Sequence, residues 1–441
     1  MDRSMDFTLT RRGQRWTWMA GIVLVLAAPF LLFPGGWRTL ALLALPLIFL
    51  GNRLATGRFF RRTPYDVAIA LLLFMVLVSL YATYDITVSL PKISGVLLGI
   101  TAMYTLVGFA HTQRRFHWTV LALLAAIAAF TALILLGTRW GGKVPVLKEL
   151  GARLPLIIQG LPGAEAGFHP NEVGGALTWL IFLPPMIAVG LWSLRHSAYT
   201  AIAGLVLWGM TAIMLLALLL TQSRSAWIGT AAGVGVLLFL AGRWSRVLLL
   251  LGLIAVVVIL VIVGPQQLTH IFDTREDPNL GTVANINLKG RVEIWSRALY
   301  GLQDFPFTGM GMGTFRHVVH ILYPLFLVSP DQDIGHAHNE LLQAGLDLGL
   351  PGLIAFMAVQ ILGITLAYKT FHAAASPLIR WTAAGGLAGL IAHDVYGITD
   401  AVALGAKPGL FFWLLLGLIA AGWALASPIS NRHSPAPQPE A

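Results

Sequence analysis

The chain has 441 residues, 57% of them hydrophobic and only 11% charged, with a mean hydropathy of +0.77 and a formal net charge of +10. Soluble domains carry about 25% charged residues, so the composition excludes a soluble globular enzyme and indicates an all-α polytopic membrane protein. The absence of cysteine excludes disulfides, thiolate metal sites and a Cys nucleophile, and in such a chain excess Lys and Arg is a topology signal before it is a binding signal.

A spanning helix needs about 20 mostly apolar residues. Twelve runs qualify, at about 16–33, 37–52, 65–83, 88–110, 117–137, 171–193, 199–221, 225–241, 246–264, 350–368, 377–396 and 406–427. Arg11, Arg12 and Arg15 precede the first run without a small-residue cleavage site, so it reads as a retained span rather than a signal peptide. Alternating from a cytoplasmic N-terminus puts RRGQR, NRLATGRFFRR, HTQRRFH, SLRHS, AGRWSR, YKTFH…LIR and the tail inside. Together with Arg3 these hold 16 of the 29 Lys and Arg, as the positive-inside rule requires. Both termini are therefore expected inside. Residues 1–264 carry spans 1–9, with an outer segment at about 138–170. A large outer loop of about 85 residues, 265–349, separates spans 9 and 10. Spans 10–12 occupy 350–427, and 428–441 form a Pro/Ser/Asn-rich tail expected to be disordered in the cytoplasm.

Several outer cations are not explained by topology. Arg224, in the tight turn TQSRSAW between two spans, sits where an arginine is costly. Snorkelling to headgroups is one account, and an anion clamp is the other, because guanidinium binds phosphate bidentately. Arg291, in NLKGRVEIWSRAL, has Lys289 and Arg297 nearby and lies four residues before Trp295, on the same helical face. A solvated helix paired through Glu293 is the simple account there, and phosphate binding the sharper one. Lys92, in SLPKISGVLL, either contacts an anionic group or snorkels. No Walker A sequence accompanies these residues, so no nucleotide is indicated.

The stretch GHAHNELLQAGLDLGLPG, 335–352, breaks at Gly335 and then starts a helix at His338 and Asn339. Gly349, Pro351 and Gly352 interrupt that helix before the tenth span. A helix N-terminus disfavours imidazolium, and a neutral imidazole is what a general base requires. His338 is thus a candidate base, with His336 its competitor and a polar helix cap the plain reading. His169, in GFHPNEVGG, opens the sixth span, where Asn171 is placed to cap the helix. A structural or lipid-contact role fits His169 better than catalysis. His393 and Asp394, in LIAHDVYGITD, lie near the outer end of the eleventh span, positioned to line a site or pair with an arginine. The outer acids form no DxD pair or other convergent carboxylate set, so no metal and no cofactor is expected.

The span count, the late outer loop, SRSAW before span 8, GRVEIW in the loop and HNELLQAGLDLGLPG entering span 10 together resemble the bacterial O-antigen ligase family, within the ligase/polymerase superfamily. The resemblance spans roughly 16–427 in architecture and a few dozen residues in motifs. It implies a membrane-embedded glycosyltransferase (GT-C-like) of the bacterial inner membrane with a periplasm-facing site. Such an enzyme moves O-antigen from undecaprenyl diphosphate onto a sugar hydroxyl of lipid A–core, with inversion and without a metal. The family's catalytic His corresponds to His338, followed by Asn339, and its two essential arginines to Arg224 and Arg291. O-antigen polymerases share these features with a different acceptor. Protein O-oligosaccharyltransferases are usually longer beyond the last span. A lipid-linked sugar flippase would be expected to show paired Gly/Pro-broken spans and charged relays within spans, and neither is evident.

Overall fold

In the computed structural model, the described residues are 10–162, 164–193, 197–272, 288–329 and 332–426, with backbone alone for 264–272. The expected disordered tail, 428–441, lies outside them, as do 273–287 and 330–331 of the large loop. The helices are α1 Arg11–Leu32, α2 Ala44–Thr56 (entered through a 3-10 segment, Gly36–Leu43), α3 Asp66–Ala82, α4 Ile86–Phe109, α5 Gln113–Gly137, α6 Pro145–Ala152, α7 Pro170–Leu180 and α8 Leu183–Trp192. They continue with α9 Ala198–Thr221, α10 Arg224–Ala241, α11 Arg243–Phe272, α12 Leu288–Asp304, α13 Phe315–Leu322, α14 Glu340–Ala373, α15 Pro377–Gly397 and α16 Leu410–Ala426.

The protein is an all-α polytopic membrane protein. Among the described residues, ten helical stretches are long and apolar enough to cross a membrane. All twelve expected spans fall on helices. The two outside the set of ten are α3, apolar but 17 residues long, and α15, where Arg380, His393, Asp394 and four glycines dilute the hydropathy. The span expected at 246–264 runs on to Phe272, so the large loop starts later than hydropathy suggested.

Helix α15 is the hub of the bundle, packing on α7, α8, α10, α14 and α16. Glycine makes its closest approach possible: a Cβ at Gly229 of α10 would run into the carbonyl of Ala392, and one at Gly233 into Phe182 and Ala388. Small residues at such seams let backbones touch, which is how helices associate where lipid removes the hydrophobic drive. By contrast, α11 has nothing buried across its apolar window and packs mainly on α10 among the described residues, as a lipid-facing helix would.

Among the described residues, the sixth span and helix α14 are each broken, at positions that do not correspond between the two halves of the chain. The sixth is two helices, α7 and α8, parted just before Pro184 and Pro185. The tenth, α14, kinks at Gly349, whose φ of 70° and ψ of 178° leave the helical region. That break was legible in the sequence, and its purpose is visible in the fold. Loop 306–313 docks against it, with Met310 N–H donating to Leu346 O and Leu350 N–H to Pro306 O, both at 2.7 Å. Helix α4 joins the two ends of the bundle. Its first turns carry Lys92 beside the loop of the two histidines, and beyond its last turn His111, Arg114 and Arg115 lie at the opposite end.

Candidate functional site

Asn339 caps α14. Its Oδ1 accepts from Leu342 N–H, and its Nδ2 donates to Ile398 O, both at 2.9 Å, tying the start of α14 to the loop after α15. His338 precedes the cap with φ 48°, a left-handed conformation for a residue with a Cβ. That conformation costs about 1–2 kcal/mol and persists only where the surroundings hold it, often at functional sites. Here His338 N–H donates to His336 Nδ1 at 3.1 Å, and Trp295 Nε1–H donates to His338 O at 3.1 Å.

The side chain of His338 is 3% exposed, and its Nδ1 lies 3.2 Å from Asp400 Oδ1. Asp400 is 1% exposed and fully engaged. Oδ1 also accepts from Ala401 N–H at 3.0 Å, while Oδ2 accepts from Asn171 Nδ2 at 2.9 Å and faces Arg291 Nη2 at 3.4 Å. Burial works against its charge, but Arg291 and the His338 hydrogen bond outweigh burial and hold the carboxyl below the usual range. A carboxylate only accepts, so His338 Nδ1 carries a proton, and in the neutral ring the lone pair is on Nε2. That Nε2 is buried and has no hydrogen-bond partner among the described residues. The arrangement leaves an unfilled acceptor position on a ring held by a carboxylate, a geometry suited to proton acceptance as in an Asp–His pair.

His336 packs edge-on against His338, with centroids 4.5 Å apart, and its Nε2 is 3.7 Å from Asp400 Oδ1. Burial, and then the neighbouring His338, hold its ring well below the usual imidazole range. His169 is the N-cap residue of α7; Pro170 takes the first turn, and Asn171 serves Asp400 instead of capping. Burial lowers the His169 pKa to about 4, and the ring feels both Asp400 and His338, so the structure brings it beside the pair rather than out to lipid. Lys92, half-buried on α4, acts through space on His336 and Asp347.

Arg291 donates from Nη1 to Thr399 O at 2.5 Å as well as facing Asp400, and its buried Nε has no partner among the described residues. Glu293, two residues on, does not serve it; its carboxylate accepts from Phe326 N–H at 2.6 Å and Leu327 N–H at 2.8 Å and pairs with Arg297 at 3.6 Å. Arg224 is the first residue of α10, and the next residue, Ser225, bonds Thr399 Oγ1 at 2.8 Å. Arg224 and Arg291 therefore flank one loop, close enough for their charges to act on each other.

Three sequence candidates lie elsewhere. Lys289 is exposed at the start of α12. His393 is in the bundle interior, stacked on Trp179 at 3.6 Å, with Nδ1 2.9 Å from Gly175 O and Nε2 3.2 Å from Glu340 Oε1. It pairs with a glutamate rather than an arginine. Asp394 sits beside it with a buried, unpartnered Oδ1.

Sequence reading missed Asp400, the residue that organises the site. It lies 62 positions from His338, and its one local signal was a lone acid closing GITD at the end of a span. With it, His336, His338 and Asp400 bring three potential ligand atoms within 4.8 Å of one another, a convergence that spacing did not reveal. A dication held through His338 Nδ1 and Asp400 Oδ1 would displace the bond between them and face Arg291.

Residues 209–357 match the family model described as O-antigen ligase. Over that segment the chain is similar to the O-antigen ligase family. No curated protein matches it significantly. The matched segment holds Arg224, Arg291, His336 and His338, while Asp400 and Asn171 reach the site from outside it. That similarity supports a general role in glycosyl transfer and lipopolysaccharide synthesis.

Proposed function

We propose that the protein is an O-antigen ligase, transferring polysaccharide from undecaprenyl diphosphate to a sugar hydroxyl of lipid A–core. The observation that carries this reading is the His338–Asp400 pair with its open Nε2. The acceptor hydroxyl gives its proton to Nε2 as its oxygen attacks the anomeric carbon. The bond from that carbon to the diphosphate breaks, and the electron pair leaves with the lipid diphosphate. Asp400 stabilises the imidazolium, which then returns its proton to water. A single displacement inverts the anomeric centre. A positioned base of this kind contributes about 10²–10⁴-fold. Arg224 and the free Nε of Arg291 are the donors best placed for the charge that builds on the leaving diphosphate. The basic loops around Arg58–Arg62 and His111–Arg115 favour a cytoplasmic location for their end of the bundle, and hence an inner-membrane enzyme whose His338 end faces the periplasm.

The test is a product assay. Purified protein in detergent is given lipid-linked O-antigen and rough lipopolysaccharide, and the lipid end of each product is identified by mass spectrometry. Polysaccharide on lipid A–core is expected. Longer lipid-linked chains instead would make the protein a polymerase, and an untouched donor that changes leaflet in vesicles would make it a flippase.

A further inference from the structure

We propose that Gln343 and Asp347 form a positioning pair that holds the His336–His338 loop in its left-handed conformation, with Gln343 as the residue that sets the peptide between the two histidines. The inference rests on the role of His338 proposed above. Gln343 is 3% exposed, and its Oε1 accepts from Ala337 N–H at 2.9 Å, inside the loop itself. One turn on, Asp347 is 1% exposed, and its Oδ1 accepts from Gln343 Nε2 at 2.8 Å and from Gly313 N–H at 2.9 Å. Glutamine is the side chain that can accept from Ala337 and donate to Asp347 at once. Asp347 fixes which way the amide points, and Gly313 fixes Asp347. The His336–Ala337 peptide is thereby held from α14, one residue before His338, while Trp295 of α12 holds the carbonyl of His338. A non-glycine residue at φ 48° needs this restraint from both sides. Without it, the ring turns away from Asp400 and the lone pair on Nε2 loses its aim. Neither residue touches the reacting atoms; both act through His338.

The variants are Gln343→Leu, Gln343→Glu, and Gln343→Glu combined with Asp347→Asn. In Gln343→Glu the shape is kept, but the donor is lost and two carboxylates meet. With an amide at 347, its nitrogen can serve the carboxylate at 343 and its oxygen Gly313. Steady-state ligation is measured with lipid-linked O-antigen, melting temperature is followed in the same detergent, and hydrogen exchange is read on the peptide spanning 335–340. The single variants are expected to lose kcat by ~100-fold, the size of effect produced by about 1 Å of misplacement. KM should stay within about twofold, with faster exchange at Ala337 and recovery of at least about tenfold in kcat in the double variant. Unchanged exchange at 335–340, or a kcat within about threefold of wild type, overturns the proposal. So does a loss that follows melting temperature and is not recovered in the double variant. If the wild type makes no ligated product while exchange rises as expected, the positioning role stands and the ligase reading fails.

Discussion

Asp400→Asn lowers kcat by about 10³–10⁴-fold while leaving substrate KM values nearly unchanged, because it reverses the tautomer of His338. The amide is isosteric, so the loop keeps its shape. Its NH₂ group can point at His338 Nδ1, which then becomes the acceptor, and the proton moves to Nε2. The base thus presents a hydrogen where it needs a lone pair. Asn171 and Arg291 both donate to the Oδ2 position, whereas the Oδ1 position faces Ala401 N–H and His338, so the amide nitrogen opposes one donor at Oδ1 rather than two at Oδ2. His338 Nδ1 is the one neighbour that can adapt, by giving up its proton. Steady-state rates over a range of both substrates check this, and a variant within about tenfold of wild-type kcat would show that the tautomer does not limit the reaction.

Arg291→Ala removes more than a clamp. It leaves Asp400, 1% exposed, as a buried charge whose principal counter-ion is gone. Breaking a buried pair from one side costs about 3–5 kcal/mol, so a large drop in melting temperature accompanies a fall in turnover of at least about 10²-fold. Arg291→Lys separates the two effects. The ammonium keeps a positive charge near Asp400 but cannot reach Thr399 O and Asp400 Oδ2 together as the guanidinium fork does. It should regain most of the melting temperature and little of the turnover. Full recovery of both would mean that Arg291 supplies charge alone.

The elements visible in the sequence were those written in local periodicity. Each of the twelve apolar runs fell on a helix, with α11 and α14 extending well past the ends of theirs. The Asn339 cap and the Gly349 kink followed from residue types whose backbone preferences act within one turn. His338, Arg224 and Arg291 were singled out because a cation or an imidazole at the edge of a membrane is costly unless it is used. What stayed hidden depended on distance in sequence. Asp400, Asn171 and His338 come from three segments that meet only when α7, α14 and α15 pack. Gln343 and Asp347 lay inside the quoted stretch, but on a helix they read as ordinary polar positions, because nothing local shows that one faces Ala337 and the other Gly313. The partners of His393, Trp179 and Glu340 in the bundle's interior, were hidden for the same reason.

The most direct test of the His338–Asp400 base compares wild type, His338→Ala and His336→Ala, purified in detergent with EDTA present, each given lipid-linked O-antigen and rough lipopolysaccharide. The account predicts a ladder of ligated lipopolysaccharide from wild type and from His336→Ala, and a rate at least about 10²-fold lower from His338→Ala. A ladder from His338→Ala at the wild-type rate, or one from wild type that EDTA abolishes, would contradict it.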